Sequence, residues 1–389
     1  MASFILVDYT NPVLWEFGII SQNIVNGSGY HYFTPHGFPV PSAFIPPAYP
    51  LLQALLRLLF PGETVWLIVL QVIQVAVSAC IPTALFFLGR LLFSDTVGRI
   101  AALIAVVYPT FIYMPVEFHP VSLYVCIGLL YIIACIRAQR KNLPSDYGTA
   151  GFLGGVFMLF RSEALLIHAI ITLILTGFRP DRKKIQNSAL FLLTSLIVVF
   201  PWTLRNYLVF GELIPITSTT GYNFWIGNHE NASGTPRVLS GPHRGETEEY
   251  PHHIGTKLET FPVDNRWEIR HDSLYLSHAL RFLSTHPGEW AVLLARKSFF
   301  FWILDLSHPK ALHPAYFLPW LLMLPLVVNG VYVSRVMIPQ LSIILVPIGV
   351  SFLVSIVFFV LPRYRMIIEP YLFLFAAQAL ATYAAHRDR

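Results

Sequence analysis

Apolar runs long enough to span a membrane recur along most of this chain, at 65–88 and 338–361 among others. A helix needs about 20 apolar residues to cross a bilayer, because every backbone N–H and C=O must be satisfied within the segment. A buried soluble helical core would instead require amphipathic helices with charged outer faces, and those are missing. Only 12% of the 389 residues are charged and 55% are apolar, a balance that does not fit a soluble domain. The sequence therefore reads as an all-α polytopic membrane protein.

Spans are expected near 65–89, 97–115, 120–136, 147–160, 163–178, 186–205, 314–334, 338–360 and 366–384, about nine in all. Short loops rich in Lys and Arg mark the cytoplasmic side. These are Arg90 and Arg99, "RAQRK" at 137–141, "RPDRKK" at 179–184, Arg335 and the terminal "HRDR". Alternation between them requires 147–178 to cross twice and to turn near Arg161 and Glu163 on the outer side. Four regions follow: a first outer loop at 1–64 with interfacial helices, a bundle at 65–205, an extracytoplasmic region at 206–313, and C-terminal spans at 314–389. The apolar stub "MASFILV" reads as the last turns of a span that begins upstream. Within the outer regions, 14–27 and "HPGEWAVLLARKSFFFW" at 286–302 read as helices lying at the interface, the second anchored by Trp290 and Trp302.

One stretch breaks the charge rule. "LPRYRMIIEPYLFLF" at 361–375 places Arg363 and Arg365 on the outer side, with Tyr364 between them. A single arginine at a helix end is commonly a snorkelling side chain. Two together, facing the compartment of the large loop, point to an anion site, and the anion present at that depth is a lipid phosphate. Asp8, Glu16, Glu117, Arg161 and Glu163 fall on the same side. Singly, each reads as a capped helix end or an ion pair at headgroup level. Their shared sidedness is what indicates a functional cavity.

Other classes drop out. The net charge of +5 is too small and too scattered for nucleic-acid binding. Cys80, Cys126 and Cys135 all fall in expected spans and imply no disulfide framework. No HExxH or CxxC spacing occurs, and His252 and His253, being neighbours, do not face one way on a helix, so no metal site and no cofactor is expected. Asn26 and Asn231 match the short N-glycosylation pattern, which matters only in a eukaryotic secretory setting.

The chain resembles the GT-C fold glycosyltransferases, specifically the bacterial relatives of protein O-mannosyltransferases and of the aminoarabinose transferase of lipid A. The resemblance runs over nearly the whole chain. It is carried by "EFGIISQNIVNGSGY" after an acidic residue, "PPAYPLLQALLRLLF" at 46–60, "GFLGGVFMLFRSEALL" at 151–166, "PWTLRNYLVFGELIPITSTTGYNFWIGN" at 201–228 and "RYRMIIEPYLFLFAA". It implies a GT-C helix bundle and transfer of a sugar from a polyprenyl-phosphate donor to a protein, lipid or glycan hydroxyl, on the outer side of a bacterial inner membrane. It also implies a catalytic acid in the first outer loop, a position that Asp8 matches and for which Glu16 competes.

The chemistry fits the same residues. A prenyl phosphate is a good leaving group and needs positive charge rather than a general acid, which Arg363 and Arg365 would supply. The acceptor hydroxyl needs one carboxylate as base, whereas glycosidases need a pair. Arg161 is either a second phosphate contact or the partner of Glu163. Glu117, Asn206 and Asn228 are further site candidates; the two asparagines would either contact sugar or satisfy backbone groups at turns. A transporter or flippase of an anionic lipid or glycan is the alternative, with inverted repeats and broken helices at the midplane as its signature. A third reading is a non-catalytic protein keeping the fold.

Overall fold

The computed structural model describes residues 7–9, 11–34, 37–62, 64–237, 257–308 and 313–387. Most of the N-terminal stub, the pair His252–His253 and the last two residues of "HRDR" lie outside the described residues.

The described chain is helical apart from one hairpin. A short helix α1 (Trp15–Val25) leads into an antiparallel pair, β1 (His31–Phe33) and β2 (Pro39–Pro41), with Tyr32 opposite Val40. Next come α2 (Ala48–Leu59), α3 (Val65–Leu92), α4 (Asp95–Val107), α5 (Pro109–Tyr113) and a 3-10 turn at Met114–Val116. The first half continues with α6 (Val121–Lys141), α7 (Pro144–Phe160), α8 (Ala164–Thr176) and α9 (Arg182–Phe210). Three helices belong to the long intervening region: α10 (Thr220–Ile226), α11 (Trp267–Thr285) and α12 (Pro287–Trp302). The C-terminal part holds α13 (Pro314–Val333), a 3-10 segment at Arg335–Leu341, α14 (Ser342–Val357), the single turn α15 (Pro362–Arg365) and α16 (Glu369–Arg387).

A helix stands at each of the nine expected spans, but not all are spans by length and apolarity. Five are long and apolar enough to cross a membrane, and six if the pair Asp95–Val107 and Pro109–Val116, bent by 59°, counts as one. Helix α8 has 13 residues, a rise of about 20 Å against a hydrocarbon core of about 30 Å. Helix α16 is long enough, but its apolar residues are diluted by Gln378, Thr382 and His386. Its first half is enclosed by neighbouring helices, with Phe373, Leu374, Ala376 and Ala377 wholly buried, while its last turn at 383–386 is exposed.

Helices meet closely where glycine lines the seam, as is common in membranes, where packing rather than water exclusion drives association. A Cβ at Gly151 of α7 would lie 2.2 Å from the Phe191 carbonyl oxygen of α9, and one at Gly330 of α13 would lie 1.8 Å from that of Phe375 in α16.

A polar lock ties the N-terminal hairpin and the chain after α9 onto the bundle. Arg205, near the end of α9, donates to the carbonyls of Ser42 (2.7 Å) and Tyr30 (2.9 Å). Trp202 Nε1 donates to the Ile216 carbonyl at 2.7 Å, and Asn206 Nδ2 to that of Ile214 at 3.0 Å. Glu268 of α11 is buried and accepts from Ser42 Oγ (2.7 Å), the Ala43 N–H (2.7 Å) and Ser218 Oγ. Burial pushes the Glu268 pKa up, and these hydrogen bonds oppose the shift. The lock fixes the hairpin and the segment after α9 over one end of the bundle, where the candidate site lies.

Candidate functional site

Four interhelical connections and the N-terminal helix α1 converge on one cavity of about 470 Å³. The turn between the 3-10 segment and α6 contributes His119, the α7–α8 turn Arg161 and Glu163, the segment after α9 Pro215 to Thr217, and the segment after α14 Phe358, Phe359, Arg363 and Tyr364. Phe17 of α1 closes the N-terminal side. Apolar side chains from α8 and α14, among them Leu165, Leu166 and Val354, complete the wall. The lining combines cationic and aromatic side chains with hydrocarbon.

Arg161 is held between two rings. Its guanidinium lies 5.1 Å from the Tyr124 ring centroid and 5.0 Å from that of Tyr364. It also forms a forked pair with Glu163, Nε to Oε1 at 2.8 Å and Nη2 to Oε2 at 2.9 Å. Glu163 accepts a further hydrogen bond from Ser351 Oγ at 3.1 Å. Both readings of Arg161 therefore hold in geometry: it partners Glu163, and it lines the cavity. Arg363 is half-buried, lies 6.0 Å from the Tyr364 ring centroid, and has no carboxylate partner among the described residues. Tyr364 thus separates two guanidinium groups, only one of which is neutralised by an acid.

Arg365 goes elsewhere, which corrects the expectation of an Arg363–Arg365 clamp. It is buried, pairs with Glu369 at 3.1 Å, lies 4.2 Å from the Trp320 ring centroid, and points Nη1 at the Phe301 carbonyl, 3.5 Å away. Residues two apart on a helical turn point about 200° apart, so the two arginines of one turn cannot share a face. Arg161 from the distant α7–α8 turn stands where Arg365 was expected.

The asparagines hold backbone. Asn206 is buried against Ile214, as given above. Asn228 is also buried; its Nδ2 donates to the Phe224 and Val357 carbonyls at 2.6 and 2.9 Å. Its Oδ1 accepts from Lys297 Nζ (2.9 Å) and Trp290 Nε1 (3.1 Å), so Trp290 is turned inward rather than serving as a membrane anchor. Lys297, a buried cation that sequence reasoning missed, donates as well to the Phe358 carbonyl at 2.8 Å. Burial lowers its pKa to about 7. Gly227 lets α10 come this close: a Cβ there would lie 1.9 Å from the Phe358 carbonyl oxygen. Gly227, Asn228 and Lys297 together fix the end of α14, from which the segment bearing Arg363 departs.

The acidic candidates stand outside the lining. Glu117 is exposed; its carbonyl accepts from Gln74 Nε2 at 2.7 Å, and its carboxylate does not line the cavity. Asp8 is exposed, and its Oδ1 caps the Asn11 N–H at 3.2 Å. Its neighbour Tyr9 meets Phe118 edge-on, with ring centroids 6.3 Å apart. Glu16 is half-buried on the first turn of α1, and its neighbour Phe17 meets His119 edge-on at 5.5 Å. The neighbours of both acids thus touch the 117–119 turn, while Glu163 is the carboxylate in the lining itself. Among the described residues no group of three or more His, Cys, Asp or Glu side chains gathers closely enough to hold a metal ion.

Residues 45–204 match the family model described as dolichyl-phosphate-mannose-protein mannosyltransferase. That segment contains α2 to most of α9, including His119, Arg161 and Glu163. No curated protein matches the sequence significantly. Two crystal structures of the Archaeoglobus fulgidus oligosaccharyltransferase are similar in fold. The form tethered to an acceptor peptide has a TM-score of 0.57 at 13% identity over 96% of this chain, and the apo form 0.56 at 12% over 96%. This chain spans less than half of those proteins, 45% and 48%. ArnT from Cupriavidus metallidurans, bound to undecaprenyl phosphate, is a looser likeness, with a TM-score of 0.41 at 13% identity over 97% of this chain and 75% of that one. The chain is a polytopic membrane protein of the GT-C fold, and its first bundle matches the mannosyltransferase family model.

Proposed function

We propose that the protein transfers a sugar from a polyprenyl-phosphate-linked donor to a hydroxyl of a protein, lipid or glycan, at the outward face of a bacterial inner membrane. The observation that carries this reading is the mixed lining of the cavity. Arg161 and Arg363 flank Tyr364, and Leu165, Leu166, Val354 and Phe358 add hydrocarbon to the same lining. A lipid phosphate combines the same two chemistries, an anionic head on an apolar chain. The match of residues 45–204 to a family named for a dolichyl-phosphate sugar supports the same donor class.

The reaction is a direct displacement with inversion. The acceptor oxygen forms the new bond to the anomeric carbon as the bond to the phosphate oxygen breaks. The electron pair leaves on the phosphate, where Arg363 and Arg161 stabilise it. The acceptor proton passes to a carboxylate of the N-terminal segment, Asp8 or Glu16, whose neighbours Tyr9 and Phe17 touch Phe118 and His119. Glu163 has both oxygens engaged by Arg161 and Ser351, which leaves this role to the N-terminal acids.

The test is sugar transfer in membranes supplied with a polyprenyl-phosphate sugar, comparing Asp8→Asn, Glu16→Gln and Arg363→Ala with the parent protein. The reading predicts loss of transfer in Arg363→Ala and in one of the two acid variants. If all three transfer sugar at the parent rate, the site assignment is wrong. If the parent consumes no donor, the enzyme reading fails; translocation of intact lipid-linked sugar would favour the transporter alternative.

A further inference from the structure

His119 belongs to no interaction described so far except an edge contact. It stands in the turn before α6, is 8% exposed, and lines the cavity. Its Nδ1 is buried with no partner, and neither ring nitrogen is hydrogen-bonded to the described residues. Phe17, edge-on at 5.5 Å, packs against the ring. A buried polar atom left unpaired is costly, so a group this enclosed calls for a partner from whatever binds in the cavity.

We propose that His119 is a third donor to the anion held between Arg161 and Arg363, so that the cavity grips a phosphate diester with an imidazole as well as two guanidinium groups. This rests on the reading of the cavity as a lipid-phosphate site. The groups facing the imidazole fix its behaviour. They are Arg161 and Glu163 from the α7–α8 turn, Tyr124 from α6, Arg363 and Tyr364 from α15, and Phe17 from α1, with Glu16 next to it. Burial, reinforced by Arg363 and Arg161, holds the His119 pKa well below the usual imidazole value, so the ring is neutral in the empty cavity. A bound anion offsets both guanidinium charges and makes the ring easier to protonate. Binding and proton uptake are then linked, and anion affinity rises as pH falls.

The experiment measures binding of a long-chain dialkyl phosphate, a diester whose single charge does not titrate near neutral pH, to the detergent-solubilised full chain at several pH values. The parent, His119→Gln, His119→Ala and Arg363→Ala are compared, and thermal melting confirms that each is folded. One charge-assisted hydrogen bond corresponds to a loss of about 10-fold or more in His119→Ala. His119→Gln, which keeps a donor but cannot titrate, should bind more tightly than His119→Ala and lose the rise in affinity at low pH. If both His119 variants bind as the parent does with the same pH slope while Arg363→Ala binds weakly, this inference is overturned and the lipid-phosphate reading stands. If Arg363→Ala also binds as the parent does, the lipid-phosphate reading falls with it.

Discussion

Arg161 and Arg363 line one cavity, yet removing each should have a different consequence. Arg363 has no acid partner among the described residues, so truncating it removes positive charge without stranding a carboxylate. A hydrogen bond to a charged group contributes about 1.5–3 kcal/mol, so Arg363→Ala should weaken lipid-phosphate binding about 10- to 150-fold. Its cost in stability should be about 1 kcal/mol or less. Arg161 and Glu163 are both largely enclosed, with side chains 15% and 8% exposed. Arg161→Ala leaves Glu163 with only Ser351 as a donor, and breaking such a buried pair costs about 3–5 kcal/mol. The double variant Arg161→Ala with Glu163→Gln should recover much of that stability without recovering binding. The assay is displacement of a labelled polyprenyl phosphate alongside thermal melting in the same detergent. The reasoning is refuted if Arg363→Ala binds within twofold of the parent, or if Arg161→Ala melts with the parent.

Arg365→Ala should destabilise the fold by about 3–5 kcal/mol, because it strands the buried Glu369, while protein that remains folded should bind lipid phosphate as the parent does; melting and binding measured on one sample separate the two effects. Lys297 should make stability depend on pH: its folded pKa is lowered to about 7, below the unfolded lysine value of about 10.4, so the unfolded chain holds the extra proton between these limits. Stability should therefore rise with pH from about 7 upwards, by at most about 1.4 kcal/mol per unit, and melting of Lys297→Met should lose that slope.

The sequence exposed the large divisions because hydrocarbon imposes them on every residue of a span. The positions of nine helices were readable, as were the charged turns that the structure gathers around the cavity at Arg161 and Arg363. What it hid is the identity of partners far along the chain. Arg363 and Arg365 look equivalent in "RYR", but one turn of helix sends them to opposite sides, and only the fold reveals that Arg161 takes the second place. For Asn206 and Asn228 the sequence left sugar contact and backbone satisfaction both open, and the structure shows their carboxamides donating to the carbonyls of Ile214, Phe224 and Val357. Lys297 carried a usable signal, a lone lysine amid "LLARKSFFFW", and so did His119, a histidine between two hydrophobic helices in "VEFHPV". Each required the knowledge that its surroundings are buried.

The most direct measurement is photo-crosslinking with a polyprenyl phosphate that bears a diazirine on the isoprene unit next to the head group, followed by peptide mapping. The account predicts labelling concentrated at 160–166 and 354–364, competed away by unlabelled polyprenyl phosphate and lost in Arg363→Ala. Labelling centred instead on the separate apolar groove formed by Pro82, Phe86, Arg99 and Leu103, or spread evenly over the bundle and indifferent to Arg363, would contradict it.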